Sequence, residues 1–154
     1  MANEKPYKFN ENIIVPVVQS NGRVEEKGLY ITIWEDADMD RLQIQIRDWT
    51  NHSFNYIDFV DPENFEVMRS AQSLEMNFSG FKENIVAMLR QYQEDKMSLE
   101  CHIFGRKCTL IFYMKAKMGY LVLLTVDLKL DETIDESQSE EQEFQVGFSK
   151  RNLV

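Results

Sequence analysis

The sequence predicts a mainly β protein of the α+β class, in which a pair of helices interrupts an antiparallel sheet. Three observations lead to this class. Apolar and polar residues alternate in most extended segments, which is the pattern of half-buried strands. Between residues 61 and 95 the apolar spacing changes to the helical period of about 3.6 residues. The connections between the last strands are short, as in a β-meander.

Length and composition favour one domain. The chain has 154 residues, 44% of them hydrophobic, which is enough to bury one substantial core. Its 26 acidic and 17 basic residues give a formal net charge of −9, which disfavours nucleic acid and anionic membranes as partners. No apolar run approaches the roughly 18 residues of a membrane span, and the N-terminus lacks the apolar core of a signal peptide. We therefore expect an intracellular protein.

Four strands are predicted before the helices. The first, at 12–19, contains Pro16, which cannot donate to a sheet ladder and therefore favours an edge strand or a bulge. Segments 28–36 and 41–49 alternate regularly, and the short sequence ADMD between them indicates an antiparallel hairpin. The fourth segment, at 54–60, is rich in aromatic residues and less regular.

The two helices have separate start signals. The first is predicted over 61–72, where Asp61 can accept a hydrogen bond from a free amide and Pro62 suits the first helical position. After a short extended link, Ser79 is expected to cap the second helix, over 80–95. The apolar residues of this second helix fall on one face, so we expect it to pack against the sheet.

Three further strands are predicted at 98–105, 107–115 and 120–130, joined tightly at GR and AKMG. Beyond them the composition becomes strongly acidic, which is typical of a solvated segment. The tail that follows could be an added strand, a short linear motif or a ragged terminus. The expected parts are a flexible N-terminus at 1–11, a folded domain at 12–130, an acidic linker at 131–143 and a tail at 144–154.

Residues that could carry catalytic chemistry are sparse. His52 lies in a polar loop and His102 in a strand, without the spacing of a metal site. Cys101 and Cys108 lie in apolar segments, which indicates buried reduced thiols. The 6 glycines stand singly, so the sequence has no phosphate-binding loop. We therefore predict no enzyme, no catalytic or metal site, no cofactor and no small-molecule substrate.

One large apolar residue lies where a chain normally faces water. Met118 is at the predicted tip of the hairpin between the last two strands, beside Lys117, Gly119 and Tyr120. Hairpin tips favour small or polar residues. Met118 therefore either folds back onto its own sheet or inserts into a pocket on another molecule, a role that suits an unbranched and adaptable side chain.

The segments around the helices also have a familiar order. The aromatic strand FNYI is followed by PENF at the first helix start, and then by a series that leads into the second helix: Gln72, Leu74, Asn77, Phe78 and Phe81. In this order residues 54–92 resemble the signature region of the spindle assembly abnormal protein six family, the cartwheel proteins of centrioles and basal bodies. Three residues depart from the usual glycine, aspartate and proline of that family: Ser73, Asn77 and Lys82.

The resemblance implies a head domain of the fold shared with X-ray-repair scaffold proteins, an antiparallel β-sandwich or barrel with a helix pair clamped against it. In this family two heads associate when an apolar residue at the tip of a late hairpin enters a pocket on the neighbour. Met118 corresponds to that residue by position, and Tyr120 is the second choice. Phe65, Met68 and Phe81 are expected to line the pocket, unless they are core residues.

Two functions remain open. The resemblance implies a non-enzymatic scaffold of a centriole, a basal body, or a flagellar or apical cytoskeletal assembly in the cytoplasm, whose heads form weak homodimers or oligomers and contact other cytoskeletal proteins. The coiled coil of the family is missing, so the chain is either an excised head or a head-only relative. The alternative is a monomeric adaptor of the same fold that binds a partner peptide.

Overall fold

The computed structural model describes residues 7–131. They form seven strands and two helices in this order: β1 (Tyr7–Val18), β2 (Val24–Asp36), β3 (Arg41–Asp48), β4 (Asn51–Val60), α1 (Pro62–Gln72), α2 (Phe78–Gln93), β5 (Ser98–Phe104), β6 (Lys107–Ala116) and β7 (Gly119–Leu130). The predicted mainly β fold with an inserted helix pair is confirmed. Neither helix in this range is long and apolar enough to cross a membrane.

The strands form a closed barrel in the order β1-β2-β3-β4-β7-β6-β5. Neighbours are antiparallel, except that β1 and β5 run parallel. Two of the junctions are short. β1 meets β5 only at Val17 and Val18, and β4 meets β7 only at Tyr56 and Ile57. The barrel therefore has two weak seams, and the helices lie beside them.

The core fills the space between the barrel and the helices. Along β3, buried and half-buried residues alternate without interruption, as its sequence predicted. Phe65 of α1 and Phe81 of α2 are both fully buried, and their ring centroids lie 5.2 Å apart. The helix pair thus joins the same hydrophobic core as the strands.

Several element boundaries differ from the prediction, among them the starts of β2 at Val24 and of β4 at Asn51, which precede the expected 28 and 54. Residues 7–11, expected to be a flexible N-terminus, lie in β1, because Phe9 is buried in the core and pairs with Ile33 of β2. The second helix is capped by Asn77, not Ser79, since the Asn77 Oδ1 accepts a hydrogen bond from the Gly80 amide at 2.8 Å. Residues 1–6 of the predicted N-terminal segment, residues 132–143 of the linker predicted at 131–143, and the tail at 144–154 lie outside the described residues.

Ser73 accounts for the short link between the helices. It ends α1 in the left-handed conformation, with φ 55°, so the chain turns at Ser73 before the link that leads to α2. This turn brings α2 back against α1 and leaves the end of α1 beside β7.

Candidate protein-interaction site

The tip of the β6–β7 hairpin is a two-residue turn. Ala116 pairs with Gly119, so Lys117 and Met118 form the tip. Gly119 has φ 137°, a conformation that favours glycine. Met118 is 98% exposed and therefore does not fold back onto its own sheet.

Other apolar side chains next to the tip are exposed as well: Met114, Tyr120, Leu121 and Val122. Tyr120 packs its ring edge-on against Tyr113, with the centroids 5.2 Å apart, which holds it beside the tip. Together with Met118 these residues make both faces of the projecting hairpin apolar, and we call them the hairpin surface. Exposed apolar surface of this kind is typical of protein-interaction sites.

One edge of β7 has no partner strand over much of its length. β7 pairs with β6 from Gly119 to Lys129, but with β4 only at Lys129 and Leu130. On the side that faces away from β6, the side chain of Gln72 bonds to the backbone of Thr125. We call residues 119–124 the open edge.

A groove of about 300 Å³ lies between α1 and the diverging strands β4 and β7. Its apolar lining includes Met68, Ala71 and Val126, and two carboxylates, Asp58 and Asp127, lie on its sides. The groove exists because β7 separates from β4 after two residue pairs, while α1 bridges the gap.

The predicted pocket residues divide between this groove and the core. Met68 lines the groove. Phe65 and Phe81 do not, because both are fully buried. Phe65 and Phe81 are core residues in this structure, which is the second of the two positions expected for them.

The groove carries two carboxylates, and the hairpin tip carries a lysine. Burial raises the pKa of the Asp58 carboxyl, although the Phe59 amide and Lys129 oppose the rise and Asp127 adds to it. Asp127 accepts a hydrogen bond from Thr109 at 2.6 Å and lies 3.8 Å from the Lys107 ammonium group. The tip carries the Lys117 ammonium group beside Met118. The groove presents carboxylates that this ammonium group could approach.

The thiols and histidines lie elsewhere. Cys101 and Cys108 are free and buried, with their Sγ atoms 3.0 Å apart. The hydrogen bond between Cys108 and Cys101 and burial together raise the pKa of the Cys108 thiol above its usual range. His102 bonds to Glu100 at 2.8 Å on the outer side of the barrel. Within residues 7–131 no three His, Cys, Asp or Glu side chains are grouped as a metal site would require.

This fold is that of a known class of protein. The chain matches the model of the centriolar protein SAS N-terminal domain over residues 7–128. Since the match covers most of the chain, the protein belongs to this family.

Particular relatives agree with this assignment. The Spindle assembly abnormal protein 6 homolog of Drosophila melanogaster is 37% identical over 65 residues, which are 42% of this chain but 13% of that protein. The N-terminal domain of Leishmania SAS-6 superimposes with a TM-score of 0.73 at 13% identity, covering 83% of this chain and 99% of that one. A Drosophila Sas-6 fragment, dimerised via its coiled-coil domain, gives 0.71 at 20% identity, covering 86% and 70%. These structural similarities show the fold.

Proposed function

We propose that this protein is a non-enzymatic structural component of a centriole or basal body, and that its copies associate through the hairpin tip. The centriolar family to which the chain belongs supports the structural role. Self-association is supported by one observation above all, the 98% exposure of Met118 at a tight turn. A flagellar or apical location, and binding to other cytoskeletal proteins, stay predictions.

In this proposal, Met118 of one copy enters the groove of a second copy. The apolar lining at Met68 and Val126 accepts the thioether chain, while Lys117 approaches the carboxylates of Asp58 and Asp127. Full burial of a methionine side chain contributes about 1.5–3 kcal/mol. A two-fold pair of copies inserts two such side chains, because each copy presents both the tip and the groove.

The test is sedimentation of the wild type and Met118→Glu from micromolar to near-millimolar concentration. We expect the mass of the wild type to rise toward that of a dimer, and Met118→Glu to stay monomeric, because a carboxylate cannot enter an apolar groove with acidic sides. Met39→Glu is the matched control, since Met39 lies at the β2–β3 turn and is 60% exposed. Circular dichroism of the three proteins verifies equal folding.

Two results contradict the proposal. Equal dimerisation of all three proteins would place the interface elsewhere. A wild type that remains monomeric at every concentration would favour the alternative function, a monomeric adaptor that binds another protein.

A further inference from the structure

We propose that two copies of this chain also pair along the open edge of β7, in an antiparallel ladder centred on Val122, and that this ladder sets the register in which each Met118 meets the groove of the other copy. The inference rests on the proposed function and identifies the surface that completes the same interface.

The open edge carries little of the protection that exposed strands usually have. Residues 119–124 read GYLVLL, without a charge or a proline. Proteins commonly protect such an edge from pairing with another strand by placing lysine, proline or a bulge on it. A bulge is the only such feature in this stretch, since Phe112 pairs with Leu124 and Tyr113 with Val122, which leaves Leu123 unpaired. An edge of this kind is suited to receive a strand from a second molecule.

The backbone groups that face the open side can be identified. Thr125 directs its N–H and C=O away from β6, because both bond to the side chain of Gln72 at 2.9 Å. Ladder bonds alternate along an antiparallel pair. We count along β6 from the partner of Thr125 and allow for the bulge at Leu123. The next residues of β7 whose backbone N–H and C=O face away from β6 are then Val122 and Tyr120.

Only one of these two residues can be the centre of a productive two-fold pair. Two identical strands related by a two-fold axis pair the central residue with its own copy. With Val122 at the centre, Met118 lies opposite Val126 of the second copy, or opposite Asp127 once the bulge is included. Both of those residues line the groove. With Tyr120 at the centre, Met118 would lie opposite Val122 and outside the groove.

The ends of this ladder also fit the structure. Gln72 already occupies the outward backbone groups of Thr125, so the ladder between copies stops there. Once the bulge is counted, Tyr120 of the incoming strand lies opposite Thr125, so Val122 supplies the hydrogen-bonded pair of this ladder. Beyond Tyr120 the tip can therefore turn toward the groove.

Charge and area favour a second copy as the occupant. In this register Lys117 arrives beside Asp127 and Asp58 of the other molecule, so an ammonium group meets the groove carboxylates twice per dimer. Two methionine side chains alone fall well short of the roughly 1,200 Å² that specific interfaces bury. The paired edges and the hairpin surface supply additional area.

Cysteine cross-linking tests the register. Opposite residues in a hydrogen-bonded antiparallel pair have Cα atoms about 5.5 Å apart, which a disulfide can span. In the proposed ladder the two Tyr120 positions are about 13 Å apart, beyond that range. We therefore expect Val122→Cys to form at least tenfold more disulfide-linked dimer than Tyr120→Cys under mild oxidation. Cys101 and Cys108 are buried, so the wild type gives the baseline.

The double variant Met118→Glu with Val122→Cys should lose its cross-link, since the ladder and the inserted methionine belong to one interface. If sedimentation shows a dimer that Met118→Glu abolishes, but Val122→Cys stays at the wild-type baseline or Tyr120→Cys links better, the ladder is wrong and the proposed function stands. A wild type that stays monomeric overturns both.

Discussion

Gln72 joins the end of α1 to the open side of β7, and its replacement by alanine is expected to loosen this junction. Its Nε2 donates to the Thr125 carbonyl and its Oε1 accepts from the Thr125 amide, both at 2.9 Å. A hydrogen bond contributes about 0.5–1.5 kcal/mol net, so the loss of two lowers the free energy of unfolding by about 2 kcal/mol. With a urea m-value of about 2 kcal/mol/M, the unfolding midpoint falls by about 1 M.

Gln91→Ala is the matched control, because Gln91 is exposed on α2 and its removal should change the free energy of unfolding by less than about 0.5 kcal/mol. Hydrogen exchange gives the local readout. The Thr125 amide should lose protection in Gln72→Ala, while the amides of the central barrel keep theirs. The reasoning is refuted if the two variants are equally stable and Thr125 exchanges as in the wild type.

Two further predictions concern charge. Burial opposes ionisation of Asp48, but hydrogen bonds from Thr50 and from Lys27 outweigh it and lower the pKa of the carboxyl. Folding therefore favours the ionised form, and its contribution to the free energy of unfolding is lost as the pH falls below about 4. In Asp48→Asn the free energy of unfolding should fall less steeply with decreasing pH in this range. An unchanged pH dependence contradicts this assignment. Lys117→Glu should weaken dimerisation at least tenfold at low salt and less at high salt. Lys96→Glu makes the same charge change on an exposed side chain and should leave dimerisation unaltered. Equal effects of the two variants would mean that net charge alone matters.

The interiors of the strands were predictable because burial on one face leaves a local alternating pattern. β3 shows this along its whole length. Strand ends were less predictable. Residues 7–11 and 24–27 carry many polar side chains and extend β1 and β2 because the two strands pair with each other, from Tyr7 with Trp34 to Val18 with Val24. That pairing depends on residues distant in sequence, which a local pattern does not contain.

The two halves of the candidate site differ in the same way. The hairpin tip was predictable from the short sequence AKMG, since a turn is set by neighbouring residues. The groove was not. Phe65, Met68 and Phe81 all lie on the inward faces of their helices, and only the packing of α1 on α2 and the sheet decides which of them reaches the surface. The bond between Gln72 and β7 likewise joins residues far apart in sequence.

The position of the interaction site follows from how the barrel closes. At the β1–β5 seam, α2 covers the neighbouring strand, since Tyr92 donates to the Ile14 carbonyl at 2.6 Å and Arg90 pairs with Glu11. At the β4–β7 seam, the side chain of Gln72 bonds the end of α1 to Thr125 of β7. β7 therefore extends beyond its partner β4, and this single feature creates both the groove beside α1 and the projecting hairpin with its open edge. Because tip and groove arise from the same strand, each copy carries both halves of the surface, which is the condition for a self-complementary pair.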